Sequence, residues 1–210
     1  LQRLGLCQVA KGLGMRRITG LAKSAFIRLD SFKNRRILAV EQQHQELLRH
    51  MHQQEFMRTG KARSLRDIGW KSYSNFGEDG VLHYVMALVG TTNKRAIELG
   101  CSNGLEGNVA NLIINQGFMP LMIDGDARAL AEGIAFFGNH ERCRLVPPKF
   151  VHAWITRDNV NSLFADNGFT GEIDLLSMDL DGNDYWIWQA IDVVSPRVVI
   201  MECQDIWPAD

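Results

Sequence analysis

Cysteine pairs are absent from this sequence. The 210-residue chain has four cysteines, Cys7, Cys101, Cys143 and Cys203, and no two of them form a C-x-x-C pair. A zinc knuckle depends on such pairs, and a small secreted scaffold depends on a denser set of cysteines. The sequence therefore indicates neither, and we interpret the cysteines as reduced thiols of a cytoplasmic protein.

Long apolar runs are absent as well. No uninterrupted apolar run reaches the roughly 18 residues that a membrane-spanning helix needs, so the sequence predicts no spanning segment. Apolar residues make up 46% of the chain and charged residues 22%. This balance is typical of a globular protein that can bury a sizeable core.

Acidic residues are scarce near the amino-terminal end. The first 66 residues hold 14 Lys and Arg against 4 Asp and Glu, whereas residues 67–210 hold 9 against 20. We therefore predict a basic helical segment, residues 1–66, followed by an acidic domain, residues 67–210. Residues 1–29 carry only basic charges, which favours a solvated helical arm. Peripheral contact with an anionic membrane is the alternative, and nucleic-acid binding is not favoured.

A helix is predicted over residues 32–59. It has a seam, polar in two places, with alternating spacings of three and four residues, which is typical of one helix face. The members of the seam are Ile37, Val40, His44, Leu47, Met51 and Gln54. We expect the seam to pack on the main domain, and a homodimeric coiled coil is the alternative.

Helix and strand patterns alternate after residue 70. The predicted strands are 94–100, 119–125, 149–154, 173–180 and 197–202, and the predicted helices are 78–89, 105–116, 128–137, 157–167 and 185–191. Such alternation predicts an α/β fold: a Rossmann-like, mostly parallel sheet with helices on both faces. Ligands of these sheets bind beyond the carboxyl ends of the strands, so the residues just after each strand are the candidate site.

The first strand ends in "ELGCSNG". Glu98 closes the strand, Gly100 permits a sharp turn, and Gly104 is expected to open the next helix and admit a ligand closely. Cys101 and Ser102 lie between the glycines, so the G-x-G-x-x-G pattern of dinucleotide enzymes is absent. The pattern acidic-x-Gly-x-x-x-Gly resembles motif I of class I methyltransferases that use S-adenosylmethionine (SAM). An ordinary strand-to-helix turn is the alternative.

The next two strands also end in candidate cofactor residues. Asp124, followed by Gly125, is placed to accept hydrogen bonds from both hydroxyls of a ribose. Asp126 is predicted to cap the following helix. His152 and Ala153 are candidates to line an adenine pocket, although His152 is equally consistent with an ordinary polar neighbour.

The fourth strand ends in the acidic stretch "SMDLDGNDYW". Asp179, Asp181 and Asn183 alternate as in an EF-hand loop, but Asp184 and Ala190 stand where that loop requires glycine and glutamate. The EF-hand interpretation is therefore excluded.

Several stretches together resemble methyltransferases of the FkbM-like group. They are "YSNFGEDGVL" (73–82), "AIELGCSNGLEGN" (96–108), "LMIDGD" (121–126), "AWITRDNVN" (153–161) and "IDLLSMDLDGNDYWIW" (173–188). The resemblance covers about residues 70–205 and implies SAM as cofactor and methyl transfer to a hydroxyl of a small molecule or glycan. Asp181 replaces the glutamate of the group's Asp-x-Glu-Gly element. Class I methyltransferases usually have two further strands, which we expect to be missing here.

The resemblance implies roles for the acidic stretch. Asp179 is expected to hold the amino group of the cofactor, and Asp181 to take a proton from the acceptor. A Mg²⁺ site formed by Asp179, Asp181 and Glu202 is possible but not favoured.

Neighbouring residues complete these expectations. Asn183 or Asp184 is predicted to cap the next helix, and Glu78 and Asp79 are predicted to be helix-start charges. Tyr73 and Phe76 are candidates for a lid over the cofactor. The aromatic side chains of that next helix are expected to pack on the sheet; they are Tyr185, Trp186 and Trp188.

Two other functions stay open. A nicotinamide-dependent oxidoreductase is disfavoured because the sequence lacks G-x-G-x-x-G and an obvious hydride-transfer pair. A non-catalytic interaction protein with a degenerate methyltransferase domain is the other alternative.

Overall fold

The computed structural model describes residues 18–203, with side chains from residue 39 onward. By compactness the chain forms two units, Leu1–Glu41 and Gln42–Asp210. The functional division at residue 66 stays a prediction. The predicted basic arm falls on residues 1–17, which lie outside the described residues, and on residues 18–29, whose side chains are not described. None of the described helices is long and apolar enough to cross a membrane.

Five parallel strands form one sheet in the described part of the chain. They are β1 (Arg95–Leu99), β2 (Met119–Asp124), β3 (Lys149–His152), β4 (Gly171–Met178) and β5 (Val194–Met201). Their order is β3-β2-β1-β4-β5. The chain therefore adds β2 and β3 on one side of β1 and then adds β4 and β5 on the other side. Right-handed crossovers then place the helices of the two halves on opposite faces. The predicted Rossmann-like α/β fold is confirmed.

Six α-helices accompany the sheet in this part of the chain. They are α1 (Ile18–Thr59), α2 (Glu78–Val89), α3 (Ala110–Gln116), α4 (Ala127–Asn139), α5 (Val160–Asp166) and α6 (Asp184–Ala190). A short 3₁₀ turn, Leu65–Asp67, follows α1. The predicted start of α1 at residue 32 is wrong, because the helix begins at Ile18 and includes the glycine at position 20.

The predicted start of α3 at residue 105 is also wrong. The loop before α3 is held by Glu98, whose carboxylate accepts a 2.7 Å hydrogen bond from the Asn108 amide. Gly107 lies against the same carboxylate, and a Cβ added there would meet its oxygens at 2.8 Å. Because this long-range contact fixes the loop, the helix begins only at Ala110.

β5 begins three residues before its predicted start and contains Pro196. Proline lacks an N–H group and is tolerated in an edge strand. β5 pairs only with β4 in the described sheet, so it is an edge strand of the kind in which proline occurs.

The central strands form the core. β1, β2 and β4 are buried on both faces, as a parallel sheet covered by helices requires. The fully buried strand residues include Ile97, Leu99, Leu121, Ile123, Leu176 and Met178. Each such side chain contributes about 1.5–3 kcal/mol through removal from water. The core therefore fixes the strand ends, where the candidate site residues lie.

The second half of α1 packs on α2 and α3 through polar residues. Gln45 donates from Nε2 to Asn111 Oδ1 at 2.8 Å, and its carbonyl lies 2.8 Å from His83 Nε2. By contrast, Leu47 and Met51 of the predicted seam are 59% and 56% exposed. The expectation that the seam packs on the domain is therefore wrong.

Candidate active site

A cavity of about 490 Å³ opens at the carboxyl ends of β1, β2, β3 and β4. We call it the first cavity. It lies where the strand order reverses, the usual position of ligands in open α/β sheets. Seven of the predicted site residues line it: Gly100, Ser102, Asp124, Gly125, Ala153, Asp179 and Asp181.

Gly100 brings the ends of β1 and β4 together. Its φ is +72°, and a Cβ added there would meet the carbonyl oxygen of Asp179 at 1.8 Å. No other residue fits this position without moving the backbone. The sharp turn predicted at Gly100 is confirmed, and its cause is the close approach of the β4 loop.

Asp124 organises the loops on either side of it. Its carboxylate accepts hydrogen bonds from the Ser102 amide at 2.6 Å and from the Asp126 amide at 2.7 Å. The first bond holds Ser102 in a left-handed conformation, with φ of +50°. Asp126 in turn accepts from the amides of Arg128 and Ala129 at the start of α4, so its predicted role as a helix cap is confirmed.

Trp154 forms one wall of the first cavity, although no sequence pattern pointed to it. Its side chain is 79% exposed, and a Cβ on Gly125 would meet the ring at 2.9 Å. The ring thus lies close over the Gly125 backbone. The neighbouring His152 is exposed, and its Nε2 lies 3.0 Å from the Gly125 carbonyl. His152 does not line the first cavity, whereas Ala153 does.

Gly104 and Cys101, two predicted cofactor residues, lie away from the first cavity. Gly104 has φ of +70°, and a Cβ there would meet the Met122 side chain at 2.4 Å. Cys101 is buried, and burial raises the pKa of its thiol well above the usual range. Gly104 therefore serves close packing under the loop, and a binding role for either residue stays a prediction.

A second cavity of about 550 Å³ adjoins the first and shares Gly100 and Asp179 with it. We call it the second cavity. Carboxylates line much of its wall, and among the described residues no Lys, Arg or His side chain lines either cavity. The acidic lining residues are Glu78, Glu98, Glu106, Asp179 and Glu202.

Glu98 lies at the base of the second cavity and is only 3% exposed. One carboxylate oxygen accepts from the Asn108 amide, while Oε2 has no hydrogen-bond partner among the described residues. Burial raises the pKa of Glu98 to about 7. Hydrogen bonds from the Asn108 and Val109 amides and from the Ser177 side chain act in the opposite direction on this pKa, but burial outweighs them.

The segment before α2 forms the outer wall of the second cavity. The Asp79 carboxylate is buried and accepts from the amides of Ser72, Tyr73 and Ser74 at 2.6–3.0 Å. Glu78 and Asp79 lie in the first turn of α2, so the predicted helix-start charges are confirmed, and the Asp79 side chain additionally holds the preceding loop. Phe76 lines the cavity and is 92% exposed, so its role as a lid stays a prediction.

The loop after β4 is also held by a buried carboxylate. Asp184 accepts from the amides of Leu180 at 3.0 Å and Gly182 at 3.3 Å. Asn183 occupies the cap position of α6 but makes no side-chain cap bond. The predicted capping of α6 by either side chain is therefore wrong, since Asp184 stabilises the preceding loop instead.

Three carboxylates converge above this loop. Oxygens of Asp179, Asp181 and Glu202 all lie within 4.8 Å of one another. Burial and the neighbouring Glu202 carboxylate raise the pKa of Asp179 to about 6. Asp181 has φ of +51°, a conformation that aspartate tolerates better than most residues. The structure thus brings together the two predicted catalytic residues and the Glu202 of the less favoured metal hypothesis.

The aromatic residues of α6 do not pack on the sheet. Tyr185, Trp186 and Trp188 are 54%, 53% and 43% exposed, so the expected packing is wrong. α6 is a single short helix that buries only Asp184 and Ile187. These two residues are three apart and define its inner face, from which Tyr185 and Trp186 point away, while Trp188 lies at the edge of that face.

No family model matches this chain, and no curated protein matches it. One similar solved structure is the crystal structure of a fibrillarin/Nop5p complex. It is 16% identical, the match covers 62% of this chain and 60% of that chain, and the TM-score is 0.33. The chain thus matches about three fifths of the length of that structure.

Proposed function

We propose that this protein is a SAM-dependent methyltransferase of the FkbM-like group that methylates a hydroxyl of a small molecule or glycan. The observation that carries the proposal is the pair of adjoining cavities at the carboxyl edge of the sheet. One is lined by the motif I loop and Asp124, the other by acidic residues, and they meet at Gly100 and Asp179. A cofactor in the first cavity would thus face an acceptor in the second.

The residues of the first cavity fit an adenosyl group. A carboxylate offers about four lone-pair positions, and Asp124 uses two of them for the Ser102 and Asp126 amides. Two positions are left for the ribose hydroxyls. The exposed Trp154 ring supplies an aromatic face for the purine. The volume of about 490 Å³ lies in the usual range for small-molecule sites.

The acidic residues where the two cavities meet fit the positively charged part of the cofactor and the hydroxyl of the acceptor. Bound SAM would supply a methyl group on a positively charged sulfur, which favours a cavity lined by acidic rather than basic side chains. Asp179 lines both cavities and would accept hydrogen bonds from the cofactor amino group. Asp181 would take the proton of the acceptor hydroxyl, and general-base catalysis of this kind contributes roughly 10²–10⁴ in rate.

The test is calorimetric titration of the full chain with SAM, S-adenosylhomocysteine and NAD. We expect binding of the first two and none of NAD. Asp124→Ala should weaken SAM binding by roughly 1.5–3 kcal/mol, because a charged acceptor is lost. Asp166→Asn is the matched control, because Asp166 is an exposed carboxylate at the end of α5 and lines neither cavity.

Thermal melting of Asp124→Ala must show a folded protein, since Asp124 also holds two loop amides. Binding of NAD without binding of SAM would contradict the proposal in favour of an oxidoreductase. Absence of all binding would favour a degenerate, non-catalytic domain.

A further inference from the structure

The turn that leads from α4 into β3 holds two apolar side chains out in water. Leu145 is 86% exposed and Val146 is 59% exposed, and Pro147 after them is exposed as well. We call residues 144–147 the apolar turn. Apolar side chains scattered singly over a surface are ordinary, whereas adjacent ones that stay exposed together indicate a contact surface.

The apolar turn is held by hydrogen bonds, so its side chains do not fold back on the domain. The Arg144 amide donates to the His140 carbonyl at 2.9 Å, and the Val146 amide donates to the Cys143 carbonyl at 3.0 Å. Cys143 is 1% exposed and Pro148 is buried. A buried residue therefore anchors the turn on each side and leaves its tip in solvent.

Basic residues surround the apolar turn, although the domain as a whole is acidic. Residues 67–210 hold 9 Lys and Arg against 20 Asp and Glu, yet three of the nine lie within residues 142–149, a stretch without any acid. They are Arg142, Arg144 and Lys149. Among the described residues, the Arg144 side chain forms no ion pair. The turn is thus a basic place on an acidic domain.

The start of the neighbouring strand extends this surface. Lys149 of β3 pairs with Leu121 of β2, so the apolar turn lies beside Met119, the first residue of β2. Met119 is 47% exposed, and its amide donates to the carbonyl of the exposed Lys94 at 2.9 Å. Apolar and basic side chains therefore alternate along this amino-terminal edge of the sheet.

We propose that the apolar turn contacts an anionic lipid surface. Leu145 and Val146 enter the headgroup region, and Arg144 and Lys149 lie against the negatively charged headgroups. Aliphatic side chains gain free energy by leaving water at such an interface, and the negative surface potential attracts the basic side chains. A nucleic acid would also attract the basic side chains, but its bases bind by stacking on aromatic residues, and the apolar turn has none.

This contact would orient the cavities. The apolar turn lies at the amino-terminal edge of the sheet, whereas both cavities open at the carboxyl ends of the strands. A protein bound through the turn would hold the cavities away from the lipid, open to the aqueous phase. Lipid contact does not depend on the proposed function, so failure of either proposal leaves the other standing.

The experiment is cosedimentation of the full chain with vesicles of phosphatidylcholine alone and with vesicles of equal parts phosphatidylcholine and phosphatidylserine. We expect binding to the second kind that weakens as salt is added, because salt screens the attraction. The Leu145→Ser, Val146→Ser double variant should partition at least tenfold less, and it should keep its fold because both side chains are exposed. Leu65→Ser is the matched control, since Leu65 is 52% exposed in the 3₁₀ turn after α1.

A second measurement separates the apolar turn from the basic amino-terminal segment, which is a separate candidate for membrane contact. Lipids brominated on their acyl chains should quench the added tryptophan of Leu145→Trp, and they should not quench that of Leu65→Trp. Absence of binding to the anionic vesicles, unchanged binding by the double variant, or no added quenching in Leu145→Trp would each overturn the inference. Saturable binding of a single-stranded RNA that the double variant retains would assign the basic residues to nucleic acid and would overturn it as well.

Discussion

The Asp174 carboxylate ties the amino-terminal end of β4 to its neighbours. It is fully buried and accepts hydrogen bonds from the amides of Thr92, Asn93 and Lys94 and from Arg197 at 2.9 Å. Burial alone would raise the pKa of Asp174, but these hydrogen bonds outweigh it and the pKa is lowered. The charged form is therefore the stabilising one.

We expect Asp174→Asn to destabilise the protein by about 3 kcal/mol at neutral pH, because removal of one partner of a buried ion pair leaves the other unpaired. A carboxyl group with a lowered folded pKa stabilises the protein above its unfolded pKa, 3.8, and this contribution is lost as the pH falls through the folded value. The difference in free energy of unfolding between the variant and the wild type should thus shrink below that pH. Urea unfolding of both proteins measures this difference.

Glu172→Gln is the matched control for Asp174→Asn, because Glu172 is an exposed acid on the same strand. Its free energy of unfolding should stay within about 0.5 kcal/mol of the wild type. An equal loss of stability in both variants would contradict the role assigned to Asp174.

At the scale of single residues, the sequence predicted which acids lie at the strand ends but not which of them hold loops. Asp126 was predicted correctly as a cap, because its amide partners lie two and three residues away. The prediction for Asp184 is wrong, since its carboxylate accepts from amides of the preceding loop, and the loop contacts of Asp79 were not predicted. Trp154 was overlooked because nothing local distinguishes an exposed tryptophan from a packed one.

At the scale of elements, two buried histidines lie where α1 meets α2. His83 lies beside the Gln45 carbonyl, and its ring centroid is 6.1 Å from that of His52. Burial lowers the pKa of both histidines, and Arg49 near His83 and Arg63 near His52 lower it further. Glu46 and Glu55 act in the opposite direction, but the lowering prevails.

We expect the wild type to lose stability as the pH falls below 6.5, the ordinary pKa of histidine. Protonation then favours the unfolded chain, since a folded pKa below the unfolded one leaves the folded state with fewer protons. His83→Gln should lose less stability over the same range, because glutamine cannot be protonated. Urea unfolding at about pH 7.5 and about pH 5.5, on either side of that value, measures this.

His50→Gln is the control, because His50 is an exposed histidine on α1, the helix that carries His52. It should follow the wild type at both pH values. A wild-type stability that does not change across this range would show that α1 does not depend on neutral histidines.

The elements themselves were predicted closely where the pattern is local. The strand boundaries agree within about three residues because the central strands are continuous apolar runs bounded by turn residues. The start of α3 was misplaced by five residues, since the contact of Glu98 with Asn108 is not visible in local propensity. The inner face of α1 was misjudged because polar residues, Gln45 and His52, are buried there.

At the scale of the whole molecule, the sheet order places the fourth strand beside the first. This order gathers the loops bearing Gly100, Asp124 and Asp179 at one edge. Right-handed crossovers and the alternation of elements restrict the possible orders but do not by themselves select this one. The seam of α1, by contrast, stays exposed in the single chain.

We propose that a second copy of this chain covers the seam. Leu47 and Met51 are 59% and 56% exposed, and their spacing of four residues is one step of the coiled-coil repeat. The opposite face of α1 is occupied by Gln45 and His52, which are buried. A helix seam with this spacing packs against another helix that has the same spacing, and α1 of a second copy is such a helix.

Sedimentation equilibrium of the full chain should show a dimer that dissociates on dilution, because the seam spans fewer than the roughly three heptads of a strong coiled coil. The Leu47→Glu, Met51→Glu double variant should be monomeric, since like charges would face each other across the seam. Met57→Glu is the matched control: Met57 is 77% exposed on the same helix but lies outside the seam, so this variant should stay dimeric. A monomeric wild type at all concentrations would contradict the prediction, and dissociation of the control would place the interface elsewhere on α1.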